Sequence, residues 1–201
     1  FGLPMNPSRR ATSLEDALDA AGDLGYPVVL KSLKPGLLHK TDRGGVALGL
    51  DGGEALTSAY RAMSARLGPE VSVSRMVTEP GAELVLGMIR DEQFGPLVLL
   101  GFGGINVQSL QDVSYALPPF SSEEARRLTD RLRLRELLDE RRNRPAADLE
   151  AWCKTASAFS VMVAELADVL QEIDVNPLIL TADGCVAVDA LVVGRARDAD
   201  S

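Results

Sequence analysis

Residues 71–102 read VSVSRMVTEPGAELVLGMIRDEQFGPLVLLGF. Three runs inside it, VSVSRMV, ELVLGMI and PLVLLGF, are apolar and bounded by turn residues, so each is expected to be a strand. The connections are too short to hold crossover helices, which predicts antiparallel strands. Upstream the pattern differs. Ser13 with Asp16 three positions later marks a helix start, and Leu14, Ala17, Leu18, Ala21 and Leu24 share one helical face before Gly25. YPVVLKSL (26–33) follows as a buried strand and VALGL (46–50) as another. Leu56, Ala59, Tyr60, Met63 and Leu67 then mark a helix stopped by Gly68 and Pro69. The opening FGLPMNPSRRATSLEDA reads as a strand or loop, and its start on Phe1 suggests a fragment or a processed chain.

Downstream, Ser121 and Glu124 form a capping box for a helix expected to run to about Leu138. Leu149, Trp152, Ala156, Phe159, Val163, Leu166 and Leu170 repeat at three and four, a core-facing stripe that places Trp152 in packing rather than in base stacking. EIDVNPLIL (172–180) and CVAVDALVV (185–193) are the last two strands. The fold class expected is α+β, with two α/β lobes: a small one at about 14–75 and a large one at about 76–195.

Composition narrows the function classes. The 201 residues are 46% hydrophobic, enough for a substantial core. With 29 acidic against 21 basic residues, net −8 and dispersed, nonspecific nucleic-acid binding is not expected. The arginine-rich stretch 126–144 also carries acids and reads as a solvated helix face. There is no run of eighteen apolar residues and no leader pattern, so a cytoplasmic home is expected. Cys153 and Cys185 lack metal-ligand spacing and read as thiols.

Two clusters carry chemistry. Lys31 ends a buried strand, and HKTDRGG (39–45) comes next with His39, Lys40, Thr41 and the amides of Gly44 and Gly45. Glycines let backbone N–H groups approach an anion, and lysine supplies a mobile charge, so the set suits a polyphosphate. A glycine-tolerant hairpin with surface charges is the competing reading. In EIDVNPLIL, Asp174 and Asn176 alternate with apolar residues and point to one strand face; Asp189 in VAVDALV is flanked in the same way. Hard oxygen donors with few charges suit Mg²⁺, which shares its coordination with phosphates. Capped or solvated strand ends are the alternative for each acid taken singly.

Together GYPVVLK, LLHKTDRGGVALGL, GAELVLGMIRDEQFGP, GFGG, the segment from Leu137 to Asp148, EIDVNPLIL and AVDALV occur in an order that resembles the ATP-grasp domain of ADP-forming acyl-CoA (acetate-CoA) synthetases, relatives of the succinyl-CoA synthetase β-subunit. The resemblance covers nearly the whole chain. It implies ATP or ADP with Mg²⁺ held between two lobes, and the reaction acyl-CoA + ADP + phosphate ⇌ acid + CoA + ATP through an acyl-phosphate and a phosphohistidine. Lys31 matches the lysine on the nucleotide phosphates; Leu38, His39 and Lys40 occupy the phosphate-loop position. Arg75, Met76 and Val77 fall at the adenine hinge, Glu83 at the acid near the ribose, Asn176 and Asp189 at the Mg²⁺ ligands, and Asp174 beside them. His39 is the histidine of the HK(S/T)D segment, as a phosphoryl acceptor or as a phosphate contact, with Gly44 and Gly45 allowing the segment to move.

Departures from the family pattern are Gln108 for a common acid, Glu140 and Asn143 for glycines, and Ser74 for a hinge Gln or Glu. The CoA-binding and ligase domains have no counterpart in the sequence, so a partner domain or α-subunit is expected to bring the acyl substrate. Two other classes remain at this point: a degenerate regulatory module of an acetyltransferase-type fusion, and a carboxylate-amine ligase. The retained His39 and the HKTDRGG segment argue against them.

Overall fold

Alternation builds the first sheet. Val28 and Leu30 of β2 (Val28–Ser32) and Val71 and Val73 of β4 (Val71–Arg75) are fully buried, whereas Lys31, next to Leu30, and Ser72, between the two valines, are half-buried. α1 (Leu14–Leu24) and α2 (Gly53–Leu67) bring Ala17, Ala21, Leu56, Tyr60 and Met63 onto the buried face. Neither of these two described helices packs on the face that carries Lys31. β1 (Ser8–Ala11) and β3 (Val46–Leu50) complete an antiparallel sheet ordered β1-β4-β2-β3. The Ser13 hydroxyl accepts the Asp16 N–H at 3.1 Å, the cap that the sequence predicts.

These features come from a computed structural model that describes residues 1–36, 43–103, 112–140 and 145–195. The chain forms two compact units, one spanning Asn6–Thr78 and the other containing Phe1–Met5 and everything from Glu79 onward. The first residues belong to the second unit through the Ala187 N–H, which donates to the Pro4 carbonyl at 2.8 Å.

In the second unit a six-stranded antiparallel sheet has the order β10-β8-β5-β6-β7, with β9 also paired to β8. The strands are β5 (Ala82–Asp91), β6 (Gly95–Phe102), β7 (Val113–Ala116), β8 (Leu170–Thr181), β9 (Gly184–Ala187) and β10 (Ala190–Gly194). α3 (Ser122–Asp130) and α4 (Leu149–Glu165) cover one face, where Leu84, Leu86, Met88, Leu100, Ile173 and Leu178 meet Trp152 and Phe159. Trp152 is fully buried, and its indole N–H donates to the Thr129 hydroxyl at 2.9 Å, so it is a packing residue as its helical register predicts. None of the described helices is long and apolar enough to cross a membrane.

The structure revises several local expectations. Of the three strands in 71–102, only β5 and β6 pair with each other; β4 joins β1 and β2 in the other unit. A short connection excludes a crossover helix but does not oblige its flanking strands to pair. The helix begun at Ser121 stops at Asp130, and a separate 3₁₀ turn spans Arg135–Leu138. Its continuation is blocked because the Asp112 carboxylate takes the Arg133 and Leu134 N–H groups, each at 2.8 Å. An unbroken helix would aim those two donors at carbonyls four residues back. Leu170 starts β8 rather than closing α4, and CVAVDALVV divides into β9 and β10 with Asp189 at the break.

Candidate functional site

Among the described residues one face of the second sheet is helix-free, and its side chains follow from strand parity. On β8, Ile173 and Val175 are buried in the core, so Glu172, Asp174 and Asn176 project to the opposite face. The pairing of β8 with β5 shifts register between Leu84 and Leu86, which places the extra residue at Asn176–Pro177. Such a bulge re-aims a side chain locally. Across from it the Asn176 N–H donates to the Asp189 carbonyl at 3.2 Å, and Asp189 Oδ1 accepts the Ala190 N–H at 3.0 Å. The break between β9 and β10 thus sets Asp189 beside Asn176. Asp174, Asn176 and Asp189 are all half-buried and come together, the first two through alternation and Asp189 through the strand break.

Burial pushes the Asp174 carboxyl above its ordinary value, and the neighbouring charges of Glu172 and Asp189 push it further. Like charges gathered at a partly dehydrated face form an environment that a cation relieves. Among the described residues no three His, Cys, Asp or Glu side chains form a metal-holding group. Two carboxylates and one carboxamide therefore fit Mg²⁺ that completes its shell with water and phosphate, not a metal caged by protein alone. Glu172 is a member of this cluster that the motifs do not mark, although one more step of the same alternation reaches it.

The Asp174 shift has a definite sign. Its folded value is raised above the unfolded value of about 3.9, so the folded chain binds this proton more readily. The penalty is absent below the ordinary carboxylate range and complete above the raised value, so this group removes stability as pH rises through that interval. Asp174→Asn is expected to raise the metal-free melting temperature at neutral pH, with the gain vanishing in acid. Melts of both chains against pH check this, and a lower neutral-pH midpoint for the variant contradicts it.

Glu83 also lies on the helix-free face of this sheet, exposed, and its carbonyl accepts the Gly103 N–H at 2.7 Å. In the other unit Lys31 stands on interior strand β2, opposite Val46 on one side and Ser72 on the other. Arg75 ends β4 and is exposed, with Met76 and Val77 half-buried after it. The Met76 N–H donates to the Pro27 carbonyl at 2.9 Å, and the Arg75 carbonyl accepts from the Asn6 carboxamide at 2.8 Å. Those two backbone groups are thereby engaged in holding the end of the sheet. Ser74 is buried and faces Val29.

Leu38, His39 and Lys40, like Gln108 and Asn143, lie outside the described residues. Beyond His39 the described chain resumes at Arg43. Gly44 has φ +64°, in the left-handed region, and its carbonyl accepts from the Arg66 guanidinium at 3.1 Å. A Cβ there would come within 2.7 Å of the same guanidinium. The Gly45 carbonyl accepts the Ser32 N–H at 2.8 Å. Gly44 thus has a conformational reason to be glycine, and the carbonyls of Gly44 and Gly45 attach the segment to α2 and β2. An open groove between α1 and α2, lined by Leu18, Gly53, Glu54, Thr57, Ser58 and Arg61, lies on the helical side of the sheet, opposite the Lys31 face, and adds nothing to the site.

Comparison with known proteins identifies the family. A family model described as an ATP-grasp domain matches residues 1–193. The β-subunit of an ADP-forming acetate–CoA ligase from Pyrococcus furiosus is 33% identical over 96% of this chain and 86% of its own length. A longer ADP-forming acetate–CoA ligase from Archaeoglobus fulgidus is likewise 33% identical over 96% of this chain, which spans 29% of that protein. Among solved structures, an acetyl-coenzyme A synthetase from Ca. Korarchaeum cryptofilum superposes with a TM-score of 0.83 at 34% identity, covering 96% of this chain and 86% of that one. That protein is in complex with coenzyme A and Mg-AMPPCP, with its phosphohistidine segment pointing towards the nucleotide-binding site.

Proposed function

We propose, from the premise that this chain belongs to the ATP-grasp family, that it is the nucleotide-binding, phosphoryl-transfer part of an ADP-forming acyl-CoA synthetase. The observation that carries the reading is the gathering of Asp174, Asn176 and Asp189 on a sheet face that no described helix covers, with Asp174 held reluctant to ionise by burial and then by its acidic neighbours. The overall reaction is acyl-CoA + ADP + phosphate ⇌ acid + CoA + ATP. Mg²⁺, when bound, spreads the charge of the nucleotide phosphates. Asn176 and Asp189 would hold it, and Asp174 would support them as a second carboxylate.

Lys31 serves as a mobile point charge on the phosphates, and Leu38, His39 and Lys40 form the phosphate segment. Glu83 accepts hydrogen bonds from the ribose, and the segment Arg75–Val77 borders the adenine. Because Met76 N–H and Arg75 C=O are already engaged, the base is read by the remaining backbone groups of that segment. A partner supplies CoA and the acyl group. The Pyrococcus relative is named as one subunit of its enzyme, and the Archaeoglobus relative carries the same domain within a longer chain, which supports a partner subunit or domain here. The enzyme is placed in the cytoplasm, where its nucleotide and CoA substrates are.

Calorimetric titration of the chain with ADP, with and without Mg²⁺, tests the reading. Binding that strengthens on adding Mg²⁺ is expected, and identical isotherms in both buffers defeat it.

A further inference from the structure

We propose that Gly103 is a positioning residue for the Asn176 carboxamide, held in place from the far side by Asp112; the inference rests on the nucleotide reading above. Gly101 and Phe102 end β6 and Gly103 follows it, with Phe102 in the core and a glycine on either side of it. The φ of Gly103 lies outside the left-handed region, so conformation does not demand glycine there. Space does. A Cβ on Gly103 would stand 2.8 Å from the Leu84 carbonyl oxygen and 3.3 Å from Asn176 Oδ1. The first contact is backbone and cannot turn aside; the second is the oxygen assigned to the metal. Adding one methyl group must therefore shift either the strand end or the carboxamide.

Asp112 makes this strand end a firm reference. Its carbonyl accepts the Phe102 N–H at 3.1 Å, and a Cβ on Gly101 would lie 2.3 Å from that same carbonyl oxygen. Its side chain is buried, and its two carboxylate oxygens accept the Arg133 and Leu134 N–H groups. With both oxygens engaged at the end of α3, Asp112 is a tether and not a ligand. Gly103 also donates to the carbonyl of Glu83, so one bare residue bonds to the strand of the ribose acid and leaves open the space beside the proposed metal ligand.

The test is a double-mutant cycle on the whole chain, with Mg²⁺-dependent ADP affinity as the readout. Gly103→Ala is expected to weaken affinity in Mg²⁺ about tenfold, the scale of an outer partner of a metal ligand, and to leave Mg²⁺-free affinity unchanged. In an Asn176→Ala background the same change should add nothing, because its target is gone. Additive losses, or equal losses with and without Mg²⁺, overturn the positioning role and make Gly103 a general structural glycine. If Gly103→Ala does not fold, Asp112→Asn enters the same cycle; non-additivity with Asn176→Ala supports the tether and additivity overturns it. An unsubstituted chain whose ADP affinity ignores Mg²⁺ overturns the nucleotide reading itself, and this inference with it.

Discussion

His39→Asn is expected to stop acyl-CoA-dependent ATP formation, by about a thousandfold or more, once the chain is assayed with its partner subunit or domain. Asparagine keeps a polar side chain of similar reach and removes the nucleophilic imidazole. In the proposed relay, phosphate displaces CoA from the acyl group to form an acyl-phosphate on the partner. A histidine takes the phosphoryl group and releases the acid, and ADP then accepts the group to become ATP. Neutral imidazole is a competent acceptor near neutral pH. Nucleotide binding should survive the substitution, since Lys31 and the Asn176–Asp189 pair are untouched. Loss of turnover with intact ADP binding separates a phosphoryl role from a mere phosphate contact. Near-normal turnover of the variant would reduce His39 to the latter.

Asp189→Ala should have the second largest effect. It removes one of two expected metal ligands, so Mg²⁺-dependent ADP affinity should fall beyond the roughly 10- to 100-fold that outer partners of a metal ligand cost. The fold should remain, because the Asp189 backbone carbonyl that pairs with the Asn176 N–H is retained. The bond that the Ala190 N–H donates to Asp189 Oδ1 is lost at the start of a fully exposed strand. Such a bond contributes about 1 kcal/mol. Melting of the nucleotide-free variant provides the control: a large drop in its midpoint would make Asp189 a structural residue. The two substitutions also divide the mechanism, since one should spare Mg²⁺-dependent binding and the other should abolish it.

Much of the site is legible in the sequence because strand parity is local. Asp174 and Asn176 alternate with buried Ile173 and Val175, and the structure puts both on the helix-free face. Glu172 is legible by the same rule, one step earlier on the strand. Gly103 and Asp112 are not, since nothing in GFGG announces that one glycine faces Asn176 and the other faces the Asp112 carbonyl. Those contacts join strands that are distant in the chain. The glycines of HKTDRGG show the converse: their composition suggests motion, while the Arg66 bond to Gly44 and the Ser32 bond to Gly45 attach them to neighbouring elements.

Periodicity and caps were sufficient to locate the main helices and most strands, though not β7, and to show which faces are apolar and that Ser13 and Ser121 start helices, because each depends on side chains within a few residues. Tertiary structure alone decided which strands pair and where elements stop. β4 could satisfy its backbone against any strand of suitable length, and it pairs with β1 and β2 because Val71 and Val73 thereby reach the core under α1 and α2. α3 has helix-compatible sequence beyond Asp130, yet the remote Asp112 carboxylate claims the Arg133 and Leu134 donors. A backbone hydrogen bond can be closed by any partner brought within reach, and which partner arrives is settled by the packing of the whole unit.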